Sequence, residues 1–327
     1  MEKVLITGIT GFVGSHLADY CLDMRLQVAG LKRYHLSNMK NVAHCEARIQ
    51  WYDCDMMDPK AVFKSVNAIM PDIIFHMASQ SFVSPSWDHP LLYMNANYMM
   101  TVNLLEACLQ NKINPRILIP GSGEEYGDIR ESELPISTNT ELRPVNPYAV
   151  TKIAQDLIGY VYYRSYGLNI IRTRAFNHEG PRRDKVFGIP WYAYQIARIE
   201  QGRQDPVVKV GHIGDKRNFT HVKDMVNAYW LAVENCIPGE LYLIGSEANS
   251  HIHTFREALE MLIGMSTVKG ITYEIEPEFV RPTQVPLLIC DTSKFTSLTN
   301  WKPIISFDQI LTDTLEYWRK QVKSKER

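Results

Sequence analysis

Tyr148 and Lys152 stand four residues apart in LRPVNPYAVTK, a spacing that sets both side chains on one face of a helix. A phenol is a weak base at neutral pH, since its ordinary pKa is about 10. A lysine ammonium within about 4–6 Å, or the positive end of a helix dipole, favours the phenolate and brings that group toward the working range. Such a pair could remove a proton from an alcohol. Ser122 ends the apolar run Arg116-Ile117-Leu118-Ile119-Pro120 and could hydrogen-bond the same oxygen.

The elements that must position these groups are legible around them. Asn146 is suited to an N-cap and Pro147 to the first helical position, which places Tyr148 in the first turn of a helix. Near the start of the chain, Val4-Leu5-Ile6 reads as a buried strand, and Gly8, Gly11 and Gly14 follow at intervals of three. Helical spacing then takes over at Phe12, Val13, Leu17 and Cys21. Strand, glycine turn and helix in that order form a dinucleotide-phosphate cradle at a helix N-terminus. The next strand, Gln27 to Leu31, ends in Lys32 and Arg33 with no carboxylate, and cations at that tip suit a 2′-phosphate, so NADP is expected rather than NAD. A third strand, Ile49 to Asp55, ends on Asp55, which either bonds an adenine amine or caps the helix beginning near Pro59. The fourth, Asp72 to Ala78, delivers Ala78, Gln80 and Ser81 to the edge where open α/β sheets bind ligands, and His76 within it reads as a packed histidine. One helix is expected from about Pro90 through Asn97 and Asn103 to Ala107.

Strands alternating with helices predict an α/β fold of Rossmann type, a doubly wound and mostly parallel sheet with a smaller α/β lobe. We assign residues 1–176, rejoined by about 213–248, to the cofactor-binding domain, and 177–212 with 249–327 to the substrate-binding lobe, where prolines break the pattern. The 327 residues carry a formal charge of -1, which offers no field for nucleic acid or an acidic membrane surface. Six cysteines without a CxxC pair, and histidines without metal spacing, predict a reduced cytoplasmic protein with no metal. The N-terminus reads as no signal peptide, no apolar run reaches bilayer length, and the basic end from Lys320 to Arg327 reads as a solvated helix terminus.

From Gly8 to Trp301-Lys302-Pro303 the chain resembles the extended short-chain dehydrogenase/reductases, in the branch that modifies nucleotide-linked sugars. It is most similar to GDP-mannose 4,6-dehydratases and GDP-4-keto-6-deoxymannose reductases, through LKRY (31–34), SGEEYG (122–127), RAFNHEGPRR (174–183), KVGHIGDKRNFTHVKDM (209–225) and RPTQVPLL (281–288). The resemblance implies that Tyr148, Lys152 and Ser122 oxidise or reduce a sugar hydroxyl with the nicotinamide. It implies that Glu124 moves the C5 and C6 protons once C4 is a ketone. It further implies cofactor contacts from His178 and Arg183, and substrate contacts from Ser81, Asn177, Arg217 and Arg281, with guanidinium groups on the pyrophosphate. As alternatives, Arg217 could pair with Asp215 or Asp224, and Arg281 with Glu278.

Two features lean apart. The arginine pair Arg182-Arg183 is similar to the dehydratase form of this loop, where it belongs to a tetramer contact, whereas Gly123 stands where dehydratases carry Asp or Ser. Pro190 and Trp191 replace basic substrate contacts, and Met100 replaces a glycine. The expected function is an NADP-dependent nucleotide-sugar 4,6-dehydratase acting on GDP-mannose or a related GDP-hexose, as a homodimer or homotetramer. A GDP-4-keto-6-deoxymannose reductase is the first alternative. An epimerase, a decarboxylase and a silent binding protein of the same fold are the others.

Overall fold

The computed structural model describes residues 2–247 and 249–324; Met1, Ala248 and the last three residues of the basic end, Lys325, Glu326 and Arg327, lie outside the described residues. Strand β1 (Lys3–Thr7) is buried along Val4, Leu5 and Ile6, and α1 (Phe12–Asp23) follows it. The chain winds outward through β2 (Gln27–Lys32) and β3 (Gln50–Asp53), then returns by α2 (Pro59–Ile69) to β4 (Ile73–His76) on the other side of β1. Asp58 caps α2 by accepting from Lys60 and Ala61 nitrogens, so Asp55 is not that cap. It accepts instead from Met57 N at 3.0 Å.

The expected single helix after Pro90 is three pieces: α3 (Pro90–Met94), a π turn over Asn95–Met99, and α4 (Met100–Gln110). The buried Asn97 sits in the π turn and explains the break, because its side chain bonds both backbone groups of Gln80 and the hydroxyl of Thr151. Beyond it come β5 (Arg116–Ser122), α5 (Pro147–Tyr166) and β6 (Ile170–Ala175). Gly159 lets α5 press onto β5, since a Cβ there would lie 2.9 Å from the Ile119 side chain.

The short β7 (His178–Glu179) and α6 (Gly188–Ile199) lead into the smaller lobe, with β8 (Val207–Val210), β9 (Lys216–Asn218) and β10 (Thr220–His221). The chain then returns to the main sheet through α7 (Val222–Asn235), which packs on α1, and β11 (Leu241–Ile244). The remainder is β12 (Ile252–Thr254), α8 (Phe255–Gly264), β13 (Thr272–Ile275), β14 (Leu287–Leu288), α9 (Ser293–Thr299) and α10 (Phe307–Ser324). The main sheet runs β11-β6-β5-β4-β1-β2-β3, every neighbour parallel. Its winding reverses between β1 and β4, and ligands bind in the crevice at the carboxyl ends of such a pair. A separate core of Ile189, Tyr192, Ile196, Phe219, Leu259, Leu262 and Phe307 holds α6, α8 and α10 together over that crevice. Among the described residues no helix is long and apolar enough to cross a membrane.

Candidate active site

One cavity of about 1350 Å³ opens at the crevice. That exceeds the ~300–1,000 Å³ typical of a site for one small ligand, so there is room for a dinucleotide and a second nucleotide-sized molecule. Gly8, Gly11, Phe12, Val13, Gly14, Lys32, Arg33, Asp55, Ala78 and Gln80 line it, as do His178 and Arg183. Ser81, Asn177, Arg217 and Arg281 line the same space, and Ser122, Glu124, Tyr148 and Lys152 lie on its wall. Residues from nine separate stretches of chain are thus brought to one surface.

The glycine turn fits a dinucleotide on steric grounds. A Cβ on Gly14 would sit 2.3 Å from the Gly8 carbonyl oxygen, and Gly8 holds a φ of +63° with the Ala78 nitrogen 2.7 Å from the Cβ site. The N-cap of α1 is Gly11, with no side chain capping the helix, so its first N–H groups face the cavity for an anion. Beyond β2, the Arg33 nitrogen donates to the Ser37 hydroxyl at 2.8 Å, which brings a hydroxyl beside the two cations. Ser37 lines the cavity and had no signal in the local sequence beyond the turn it closes.

Ser122 and Glu124 owe their placement to a buried charge network. Ser122 caps a 3₁₀ turn over Gly123–Glu125, and the Glu125 carboxylate returns to the Ser122 nitrogen at 2.7 Å. Glu125 meets Arg174 at 2.6 Å, and Arg174 meets Asp156 of α5 at 2.7 Å. Arg172 also meets Asp156 at 2.9 Å, so each buried carboxylate faces a guanidinium, which is what makes their burial tolerable. Adjacent carboxylates therefore do different work: Glu125 fixes the turn, and Glu124 faces the cavity with Oε2 accepting from the Asn146 amide at 3.1 Å. Gly123 is packed so that a Cβ would touch the Phe176 ring at 3.1 Å, which accounts for the missing side chain at that position.

Without bound ligands the Tyr148 phenol is not lowered. Burial pushes its phenol above the ordinary value, opposed by Ser122 and Arg183, while Glu124 and Glu125 add to the rise. Lys152 is directed elsewhere: its ammonium donates to the Pro120 carbonyl at 2.6 Å and to the Gln155 side-chain oxygen, and burial pulls it below its ordinary value. In the protein alone Lys152 is thus not a pairing partner that brings the phenol down.

Gln155 lay three residues beyond Lys152, a helical spacing that could have revealed it. Its amide donates to Thr101 Oγ1 at 2.8 Å, and Thr101 donates to the Asn97 carbonyl. That leaves Thr101 to accept from His76 Nε2 at 2.9 Å, while Thr7 donates to His76 Nδ1 and accepts from the Ala78 nitrogen. His76 is accordingly neutral, and burial lowers it to about 3. Gln155→Leu should cost about 2–3 kcal/mol of stability, the worth of a hydrogen bond to a buried charge. Thermal denaturation with and without NADP measures the loss.

Arg217 is buried in β9 and lies 3.5 Å from Asp215, so it lines the cavity and holds one of the two carboxylates weighed as partners. The other, Asp224, accepts from the nitrogens of Ile304 and Ile305. Among the described residues Arg281 makes no ion pair with Glu278. His178 stacks on Phe12 with ring centroids 5.9 Å apart, and burial takes it down to about 4. Arg183 spans Phe187 at 4.1 Å and Phe12 at 5.5 Å, and Arg182 turns away to Asp19 at 2.7 Å. Pro190 is buried in α6, and the Trp191 indole donates to the Lys209 carbonyl at 2.8 Å while its ring lines the cavity.

The sequence profile of GDP-mannose 4,6 dehydratase matches residues 5–314. GDP-6-deoxy-D-mannose reductase of Pseudomonas aeruginosa is 28% identical over 322 residues, covering 98% of this chain and 99% of its own. GDP-mannose 4,6 dehydratase of Cricetulus griseus is 28% identical over 346 residues, covering 96% of this chain and 91% of its own. Among solved structures, RMD from Pseudomonas aeruginosa complexed with NADPH aligns at a TM-score of 0.84 and 28% identity, over 98% of this chain and 100% of the other. A profile match over nearly the whole length, with the glycine turn, the strand-end serine and the Tyr148–Lys152 helix all at one cavity, assigns the chain to the GDP-mannose 4,6 dehydratase family of short-chain dehydrogenase/reductases.

Proposed function

We propose that the protein is an NADP-dependent nucleotide-sugar 4,6-dehydratase that converts GDP-mannose, or a related GDP-hexose, to its 4-keto-6-deoxy form. The observation that carries this reading is the Glu124 carboxylate, held by Asn146 on the same cavity wall as Ser122 and Tyr148. When bound, NADP would accept a hydride from C4 and return it to C6. The glycine turn and the open N-terminus of α1 would hold its pyrophosphate, Lys32 and Arg33 its 2′-phosphate, and Lys152 its ribose.

Tyr148 takes the proton of the C4 hydroxyl while Ser122 holds that oxygen. The ketone so formed makes C5–H acidic, and Glu124 removes that proton. The C–O bond at C6 then breaks, and the hydroxyl leaves as water with the proton carried by Glu124, so no acid is needed at position 123. The proton removed from O4 equals the one that C5 takes up as the hydride reaches C6. Overall one water is lost and no net reduction occurs. Arg217, Arg281 and Asn177 would bind the diphosphate and Ser81 the sugar, as proposed contacts.

The cofactor preference has its own test. Lys32→Ala with Arg33→Ala should weaken NADP binding by roughly 10–100-fold, the worth of charge-assisted contacts to a phosphate. NAD binding should change little, and titration of both cofactors by tryptophan fluorescence reads the difference. The localisation we infer is cytoplasmic. We also infer a homodimer or homotetramer, supported by exposed apolar side chains along α5: Val150 (44%), Leu157 (48%) and Val161 (46%). The activity test is incubation with GDP-mannose and a trace of NADP. A product lighter by one water supports the dehydratase. Unchanged GDP-mannose, together with NADPH-dependent reduction of the 4-keto sugar nucleotide, would favour the reductase.

A further inference from the structure

Asn146 is buried, and its side chain is committed at both ends. Its Oδ1 accepts from the Ala149 nitrogen at 2.8 Å and so caps α5. That contact fixes which way the amide points, and its nitrogen donates to Glu124 Oε2 at 3.1 Å. Among the described residues Oε1 of Glu124 has no hydrogen-bond partner, and the side chain lines the cavity.

Capping by itself does not select asparagine, because Asp and Ser cap a helix about as well. Of the good capping residues only asparagine also carries N–H donors for a carboxylate. We propose that Asn146 is a positioning residue for the elimination step: it aims the free oxygen of Glu124 at the sugar and ties that carboxylate to the helix carrying Tyr148 and Lys152. This rests on the reading of Glu124 as the C5 base. The charged and titratable groups that act on Glu124 from other elements are Tyr148 on α5, Arg217 on β9 and Asp215 beside it. The Asn146 amide is the hydrogen-bond donor that orients it from the protein side.

Two variants keep the cap and remove the amide donor. Asn146→Asp sets like charge against Glu124, and Asn146→Ser leaves only a shorter hydroxyl without adding charge. Both are assayed with GDP-mannose in deuterated water, with hydride removal at C4 and solvent deuterium entry at C5 followed separately. C5 exchange should fall about a hundredfold in both, the scale of a small misplacement of a catalytic group, while the C4 step stays within about threefold of wild type. The pH of half-maximal exchange should move upward in both variants, further in Asn146→Asp, where like charge adds to the loss of the amide donor. If the C4 and C5 steps fall together, or if neither falls, Asn146 is a helix cap and nothing more. A wild-type enzyme that removes the C4 hydride yet never exchanges C5 would overturn the dehydratase reading and this assignment with it. Wild-type exchange that persists in both variants would overturn the assignment alone.

Discussion

Tyr148→Phe is expected to lower kcat by about three orders of magnitude while leaving the binding of GDP-mannose and NADP close to wild type. The change deletes one oxygen from a buried ring on the first turn of α5 and leaves its packing against Val83 and Tyr93 intact. Of the other groups beside Ser122, the Lys152 ammonium is held by Pro120 and Gln155, the Ser122 hydroxyl already accepts from the Glu124 nitrogen at 3.2 Å, and the Glu124 carboxylate is the base assigned to C5 rather than to the C4 hydroxyl. General acid–base groups contribute about 10²–10⁴-fold, and the loss should sit near the middle of that range. Because burial holds the phenol above its ordinary value in the protein alone, bound ligands must favour the phenolate in the working complex. Single-turnover kinetics that show the C4 step collapsed with unchanged binding would agree. A C4 step near wild type would remove Tyr148 from the chemistry.

Glu124→Gln is expected to separate the two halves of the reaction. Glutamine keeps the size of the side chain and a partner for the Asn146 amide, so the turn over Gly123–Glu125 should hold, and Glu125, which anchors it to Arg174, is untouched. An amide cannot take the C5 proton. Release of water should therefore fall by about 10³-fold or more, while C4 oxidation and its reversal continue. Solvent exchange at C5 and product mass are the readouts, and full dehydration by this variant would exclude Glu124 as the base.

Much of this was legible because it was local. The glycine spacing needs only the steric logic of one turn, and the structure places Gly14 where any side chain would strike the Gly8 carbonyl. The order of Asp55, Asp58 and Pro59 already identifies the cap. The residue directly before a proline at N1 is the natural cap, and that is Asp58. The π turn at Asn97 was not legible, since it exists to meet Gln80 and Thr151, segments far off in sequence. Gln155 was half legible: helical spacing sets it beside Lys152, but its orientation is decided by Thr101, 54 residues away. The direction of Lys152 was not legible either, because two acceptors from different elements outcompete the phenol for its protons.

The most direct test of the account uses GDP-mannose carrying deuterium at C4, incubated with the protein and NADP in ordinary water. The expected product is lighter by one water with the C4 deuterium now at C6, because the hydride taken at C4 is the one returned. A product without deuterium at C6, or deuterium found only in the released cofactor, would contradict it.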